Sequence, residues 1–202
     1  MFPTILFNLF VKSPEVAVTY VVAQLNDKLA PAEKAIVYTQ TLSSFLEEKG
    51  YGEVTGGGTA KEEPGEILFC DIQIELESEN IDYSVVHSII EHLENCGAPK
   101  GSKLIIDATQ EEIPFGKMEG MTVYLDAENL QQHHCTYDDI DFIQQEIYKL
   151  TGAKQNADRY WEDETTTAFY FYGHSFEEMN NNIQHFIGTY PLCQKARIVQ
   201  IA

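Results

Sequence analysis

The chain has 202 residues, of which 44% are hydrophobic, so it is long enough to bury a core as one domain or as two small ones. Its formal net charge of −19 argues against nucleic acid and anionic membrane surfaces as partners, because both are themselves negatively charged. The apolar runs are too short to span a membrane, and the four cysteines have no paired spacing, which indicates reduced thiols in a cytoplasmic protein.

The first quarter of the chain predicts one helix between extended segments. Residues 1–11 are apolar but lack the basic stretch and cleavage site of a signal peptide, so we predict a first strand or an edge segment there. Pro31 favours a helix start and Gly50 a helix end. The predicted elements are a strand over 16–25, a helix over 31–49 and a strand over 53–59 that three glycines at 56–58 weaken.

Residues 65–107 carry the clearest pattern in the sequence. From Leu68 to Leu76 apolar residues occupy every second position, which predicts a strand with one buried face. Asp82 is suited to cap a helix, and Gly97 followed by Pro99 is typical of a helix end. A short apolar strand over 103–107 follows, so the first half has the order β-α-β-β-α-β.

The second half repeats this order after a predicted linker. Residues 109–119 are polar and contain a proline and a glycine, which is typical of a connection. Ser175 and Glu178 form a capping-box pattern at the start of the last helix. The predicted elements are a strand over 121–126, a helix from Thr136 or Asp138 to Gly152, a weakly indicated strand over 158–162, a strongly indicated strand over 165–172, a helix over 176–190 and a strand over 196–201.

The repeated order predicts an α+β fold made of two tandem ferredoxin-like (β-α-β-β-α-β) units. Each unit is expected to have an antiparallel sheet with its helices on one face. The expected boundaries are 1–108 for the first unit, 109–119 for the linker and 120–202 for the second unit. The halves match in pattern and not in residue identity.

No motif in the sequence predicts catalysis or a cofactor. The glycine run before Thr59 is not followed by the lysine that a phosphate-binding loop requires, and a bulged edge strand is the simpler interpretation. His133, His134 and Cys135 precede three aspartates but lack a second ligand pair at zinc-binding spacing. The cysteines have no Cys–His signature. We therefore predict that the protein is not an enzyme and binds no metal and no cofactor.

Acidic residues are concentrated in stretches without basic ones. Residues 62–99 hold ten carboxylates and residues 118–148 hold seven, and neither stretch contains Lys or Arg, which predicts sustained acidic surfaces. Tyr160 and Trp161 are candidate aromatic anchors, with a Trp tucked under a loop as an equal alternative. The predicted partner-binding residues are Glu62, Glu63, Asp138, Asp139, Asp141, Tyr160, Trp161, Glu162, Asp163 and Glu164.

Two stretches look characteristic of a family: YGEVTGGGT at 51–59 and GAPKGS at 97–102. As a whole, this acidic α+β chain without catalytic motifs resembles the immunity proteins of bacterial effector–immunity systems. The resemblance implies a tight protein partner, a toxin domain that is blocked by occlusion. It assigns a role to no individual residue.

Two functions are therefore expected from the sequence. The first is a non-enzymatic acidic binding protein that neutralises a basic protein partner, with no nucleic acid and no membrane involved. The alternative is a regulatory module that binds a small molecule between the two units. A deep apolar pocket at the junction of the halves would favour the alternative, whereas exposed aromatic residues on an acidic surface would favour the first.

Overall fold

A computed structural model of the chain describes residues 18–63 and 65–202. The predicted segment 1–11 and the beginning of the predicted strand 16–25 lie outside these residues. Within them the fold is α+β, as the sequence predicts, with helices packed on two antiparallel sheets.

The first half contains six strands and three helical segments. The elements are β1 (Thr19–Leu25), α1 (Pro31–Lys34), α2 (Gln40–Lys49), β2 (Gly52–Gly56), β3 (Thr59–Lys61), β4 (Ile67–Leu76), α3 (Tyr83–Cys96), β5 (Ser102–Ile106) and β6 (Glu111–Phe115). The strands form one sheet with the order β2-β4-β1-β5-β6, in which β3 also pairs with β4. A π-helical turn, Ala35–Thr39, joins α1 to α2.

Local sequence signals explain the best-predicted elements of this half. In β4 the side chains of Cys70, Ile72 and Ile74 are buried in the first core, and the residues between them are not. The carboxylate of Asp82 accepts a hydrogen bond from the Ser84 amide at 2.8 Å and so caps α3. Gly97 ends α3 in the left-handed conformation with φ 107°.

The glycine run forms a bulged strand edge, in agreement with the simpler of its two interpretations. β2 and β3 both pair with β4, and the register shifts in each pairing. Gly57 has φ 143°, and a Cβ atom there would overlap the carbonyl oxygen of Asp71. The buried Lys34 ammonium donates to the carbonyls of Gly58 at 3.0 Å and Asp71 at 2.9 Å, which fixes the run against β4.

The second half contains four strands and three α-helices. The elements are β7 (Glu119–Asp126), α4 (Ala127–Gln132), α5 (Tyr137–Thr151), β8 (Tyr160–Glu162), β9 (Thr166–Gly173), α6 (Phe176–Thr189), a 3-10 turn (Pro191–Cys193) and β10 (Arg197–Gln200). The strands form a sheet with the order β10-β7-β9-β8, so that β8 is an edge strand. Thr136 and Asp139 form a capping box at the start of α5, and Gly152 ends that helix.

Three features of the fold differ from the prediction. Residues 109–119, which we predicted as a linker, contain β6, and this strand pairs with β5 along its length. The polar residues and Pro114 suit an edge strand, where one row of backbone groups faces solvent, so their pattern resembled that of a loop.

The short helix α4, which directly follows β7, was also not predicted. The sheets have six and four strands, so the second half does not repeat the first strand for strand.

The open face of the second sheet packs on the first half of the chain. In β9, Phe169 and Phe171 point to the helices, whereas Tyr170 and Tyr172 lie on the opposite face in a separate cluster. The Tyr172 hydroxyl donates to the carbonyl of Asn26 at 3.2 Å. Because both faces are covered, β9 is buried over nearly its whole length.

Candidate protein-binding site

A cleft lies between α5 and the edge strand β8, and we refer to it as the α5–β8 cleft. It has two lobes, of about 530 Å³ and about 310 Å³, which share Tyr137, Ile140 and Glu162. The capping box begins α5 at Tyr137 and thereby sets this ring at the mouth of both lobes. The other lining residues are Leu130, Gln131, His134, Cys135, Thr136 and Thr167 in the larger lobe, and Asp141, Gln144, Asp158, Tyr160 and Phe169 in the smaller.

Two tyrosine rings at this cleft are exposed. Tyr137 is 90% exposed and Tyr160 is 50% exposed, although each ring has a large apolar surface. The Tyr160 hydroxyl donates to Glu162 Oε1 at 3.2 Å. Burial and then the nearby Glu162 carboxylate raise the pKa of Tyr160, so this phenol is neutral at physiological pH. Both rings are therefore exposed aromatic surfaces that a partner can cover.

The charge of the cleft has one sign. Asp141, Asp158 and Glu162 line the smaller lobe, and Glu162 also lines the larger one. None of the described residues that line either lobe is Lys or Arg. A cavity with carboxylates on its walls concentrates a negative potential, which attracts cations and repels anions.

The predicted site residues are divided between the two faces of β8. Tyr160 and Glu162 line the cleft, whereas Trp161 between them packs with Ala168 and Tyr170 on the opposite face. A Cβ atom on Gly65 would lie 4.0 Å from the Trp161 indole nitrogen, so Trp161 is beside the turn that carries the exposed Glu62 and Glu63. Of the predicted residues, only Asp141, Tyr160 and Glu162 line the cleft. Asp138 and Asp139 lie on the first turn of α5 and line neither lobe, and Asp163 and Glu164 follow the end of β8. Glu62, Glu63 and Trp161 lie beyond β8.

Two of the predicted acidic residues hold the local backbone. Asp139 accepts hydrogen bonds from the Thr136 hydroxyl at 2.7 Å and the Thr136 amide at 2.8 Å, which lower the pKa of its carboxyl group. Asp163 accepts from the amides of Thr165 and Thr166, both at 2.8 Å, and the pKa of its carboxyl is lowered in the same way. Asp138, Asp141, Glu162 and Glu164 are exposed and open to a partner.

The sequence did not single out Tyr137 or Asp158. Tyr137 is three residues before Ile140, so it continues the helical spacing of the apolar stripe of α5, and this spacing gives no sign that the ring is exposed. Its ring is exposed because it stands on the first turn of the helix. Asp158 lies just before β8, where the predicted strand was the weakest of the set. The sequence signal that could have pointed to Tyr137 was the capping-box pattern of Thr136 and Asp139, which marks the first turn of a helix.

One of the thiols lies close to a histidine. All four cysteines are free. Cys96 Sγ lies 3.8 Å from His92 Nε2, and Thr41 Oγ1 lies 3.4 Å from each of these two atoms. No group of three or more His, Cys, Asp or Glu side chains in residues 18–63 and 65–202 is arranged to hold a metal ion. In the same part of the chain, no helix combines the length and apolar character needed to cross a membrane.

The junction of the halves is filled by protein side chains at its centre. A buried ion pair between Asp27 and Arg159 crosses it, and Tyr38 and Tyr172 pack against this pair. This is the region where the alternative function would require a ligand pocket. The α5–β8 cleft lies instead within the second half.

Comparison with known proteins does not provide a family. The sequence matches no protein-family model, and no curated protein is significantly similar to it. Function is therefore inferred from the geometry and charge of the cleft.

Proposed function

We propose that this protein is a non-enzymatic acidic binding protein that occludes a basic protein partner. The observation that supports this proposal most strongly is the α5–β8 cleft, where exposed tyrosines stand among carboxylates and no Lys or Arg lines the walls. Interfaces are enriched in aromatic residues, which provide contact area that is removed from water on binding. The net charge of −19 extends the negative potential beyond the cleft.

The acidic surface and the rings have separate roles in this proposal. Exposed carboxylates such as Glu162 and Glu164 accelerate the encounter with a basic partner and disfavour acidic ones. Tyr137 and Tyr160 supply the desolvated contacts that slow dissociation. No covalent step is involved, because the partner is inhibited when its surface is covered.

A toxin domain is the partner that we propose, in a cytoplasmic setting. This part of the proposal rests on the resemblance of the chain to immunity proteins, which are acidic, lack catalytic motifs and act by occlusion. A cleft without Lys or Arg suits a basic toxin surface. Many nucleic-acid-degrading and membrane-active domains have such a basic surface.

We also propose that the two halves are versions of one ferredoxin-like unit. The order of the strands supports this. The second sheet has the order β10-β7-β9-β8, and the corresponding strands of the first sheet, matched by their position along each half, have the same order, β5-β1-β4-β2. In this proposal β6 is an addition at the edge of the first unit, and β3 is a second segment that pairs with β4 beside β2.

Identification of the partner and its association kinetics test the proposed function. Affinity purification from the native organism, followed by mass spectrometry, supplies the candidate, and stopped-flow mixing then measures the association rate across a salt series. We expect a basic partner whose association slows as salt rises, because exposed charges are screened beyond about 8 Å at physiological ionic strength. An acidic partner, or a rate indifferent to salt, would contradict the proposal.

A matched pair of variants separates the effect of the carboxylates at the end of β8 from the effect of the total charge. Reversing Glu162 and Glu164 to Lys should reduce the association rate at low salt by roughly tenfold. Glu47 and Glu48 lie on α2 in the first half and do not line the cleft. Reversing them to Lys makes the same change in net charge, and we expect a smaller effect on the association rate. We leave Asp163 unchanged in this test, because its side chain holds the turn before β9.

A further inference from the structure

The smaller lobe of the α5–β8 cleft combines three kinds of surface in one cavity of about 310 Å³. Ile140 and Phe169 contribute apolar surface, Tyr137 and Tyr160 contribute exposed rings, and three carboxylates complete the wall: Asp141, Asp158 and Glu162. This volume suits a single side chain or a small ligand better than a folded element. The ligand must therefore be cationic, partly apolar and able to contact aromatic faces.

We propose that this lobe binds an arginine side chain of the partner, an inference that rests on the proposed function and names what the cleft recognises. A guanidinium group is planar, so it stacks on a tyrosine ring, and its five N–H donors reach carboxylates at its edge. Its three-carbon stem contacts the apolar surface. A lysine ammonium is compact and strongly hydrated, so it uses the rings less well.

Other classes of ligand fit the lobe less well. Phosphate-bearing ligands are repelled by the three carboxylates. A neutral apolar ligand would bury those carboxylates without partners, which opposes binding. A divalent metal requires a convergent ligand set, and the described residues contain no group of three side chains arranged for one.

Titration of the intact protein with small probes tests this inference without the partner. The probes are acetyl-arginine methylamide, the corresponding lysine compound, and the citrulline compound, which keeps the shape of arginine but is neutral. Binding is followed by amide chemical shifts in two-dimensional NMR spectra. We expect weak binding of the arginine probe with shifts confined to residues around α5 and β8, several-fold weaker binding of lysine, and no binding of citrulline. Equal binding of arginine and citrulline, or shifts elsewhere, would overturn the inference.

Variants assign the binding to the rings and the carboxylates. Tyr137→Ala and Tyr160→Ala should each weaken the arginine probe by roughly two- to tenfold, the range expected for one cation–π contact. Tyr83→Ala is the matched control for Tyr160→Ala, because Tyr83 on α3 is exposed to nearly the same extent as Tyr160. Glu162→Gln should also weaken the probe, whereas Glu128→Gln should not. Equal effects of the cleft and control variants would overturn the inference.

The inference and the proposed function fail in different ways. If a basic partner binds with a salt-dependent rate but Tyr137→Ala and Tyr160→Ala change neither partner nor probe binding, the inference fails and the proposed function stands. If the arginine probe binds in the lobe while the captured partner is acidic, the inference stands as a statement about the cleft and the proposed function fails.

Discussion

Asp27 and Arg159 form a buried bidentate ion pair that joins the two halves of the chain. Arg159 Nε donates to Asp27 Oδ1 at 2.8 Å, and Nη2 donates to Oδ2 at 3.0 Å. The side chain of Asp27 is 0% exposed and that of Arg159 is 4% exposed. Tyr38 donates its hydroxyl to Asp27 Oδ2 at 2.8 Å, and the guanidinium lies over the Tyr172 ring. The pair therefore has the partners that a buried charge requires.

Removal of one member of this pair should strongly destabilise the protein. We expect Arg159→Met to lower the free energy of unfolding by about 3–5 kcal/mol, because the Asp27 carboxylate remains buried without a counter-charge. Lys103→Met, which breaks the surface pair with Glu112, should cost less than about 1 kcal/mol. Urea denaturation measures both. Equal losses would show that the junction does not depend on the buried pair.

The pH dependence of stability should reflect Glu119. Its carboxylate accepts from Lys100 Nζ at 2.6 Å and the Phe176 amide at 2.7 Å, and these bonds lower its pKa in the folded state. A lowered folded pKa means that the stabilisation is present above the unfolded value and is lost as pH falls through the folded one.

We therefore expect the urea midpoint to fall less steeply in Glu119→Gln than in the parent between about pH 5 and pH 3. Acidification also relieves repulsion among the 32 carboxylates, so the informative quantity is the difference between the two slopes. The control is Glu128→Gln, whose side chain bonds Gln132 of the same helix. Identical slopes for parent and Glu119→Gln would refute the assignment.

The four thiols should separate into two classes. Burial raises the pKa of Cys193 to about 12, and it also raises the pKa of the Cys70 and Cys135 thiols, so the two classes differ in exposure. We expect iodoacetamide at about pH 8 to modify Cys96 and Cys135, which are partly exposed, and to spare the other two until the protein is unfolded. Peptide mass spectrometry reports each site. Rapid labelling of native Cys70 would contradict the burial of β4.

Two glycines should respond oppositely to alanine. Gly57→Ala should destabilise the protein, because φ is positive there and the new Cβ meets the Asp71 carbonyl. Gly188→Ala in α6 should stabilise it by about 0.5–1 kcal/mol, because the Cβ has open space and the helix favours alanine. Thermal unfolding of both variants provides the comparison. A stable Gly57→Ala variant would mean that the edge adjusts freely.

Elements with strong local signals were predicted from the sequence, and those defined by distant contacts were not. The alternation of β4 and the caps at Asp82 and Thr136 confirm the expected elements to within a few residues. β6 is defined by its pairing with β5, and no local signal marks it. The Asp27–Arg159 pair joins residues 132 positions apart, a separation that no spacing rule connects.

The candidate site was only partly predicted, because it too depends on contacts between residues that are distant in the sequence. Composition alone indicated acidic residues near Tyr160, but adjacent residues of a strand point to opposite faces, so Trp161 lies away from the cleft. Tyr137 follows the helical stripe in sequence but stands at the helix start, where less protein covers it. The sequence pattern predicts which face of a helix or strand a residue lies on. Tertiary packing decides whether other parts of the protein cover that face.

The shortness of β8 has a consequence for self-association. A free sheet edge invites a strand from another copy, and short, charged edges discourage this addition. β8 spans three residues, ends at Glu162 and is followed at once by Asp163, so a second copy meets few backbone partners and like charge. The carboxylates that we propose for attracting a basic partner should therefore also disfavour the pairing of β8 with the same strand of a second copy.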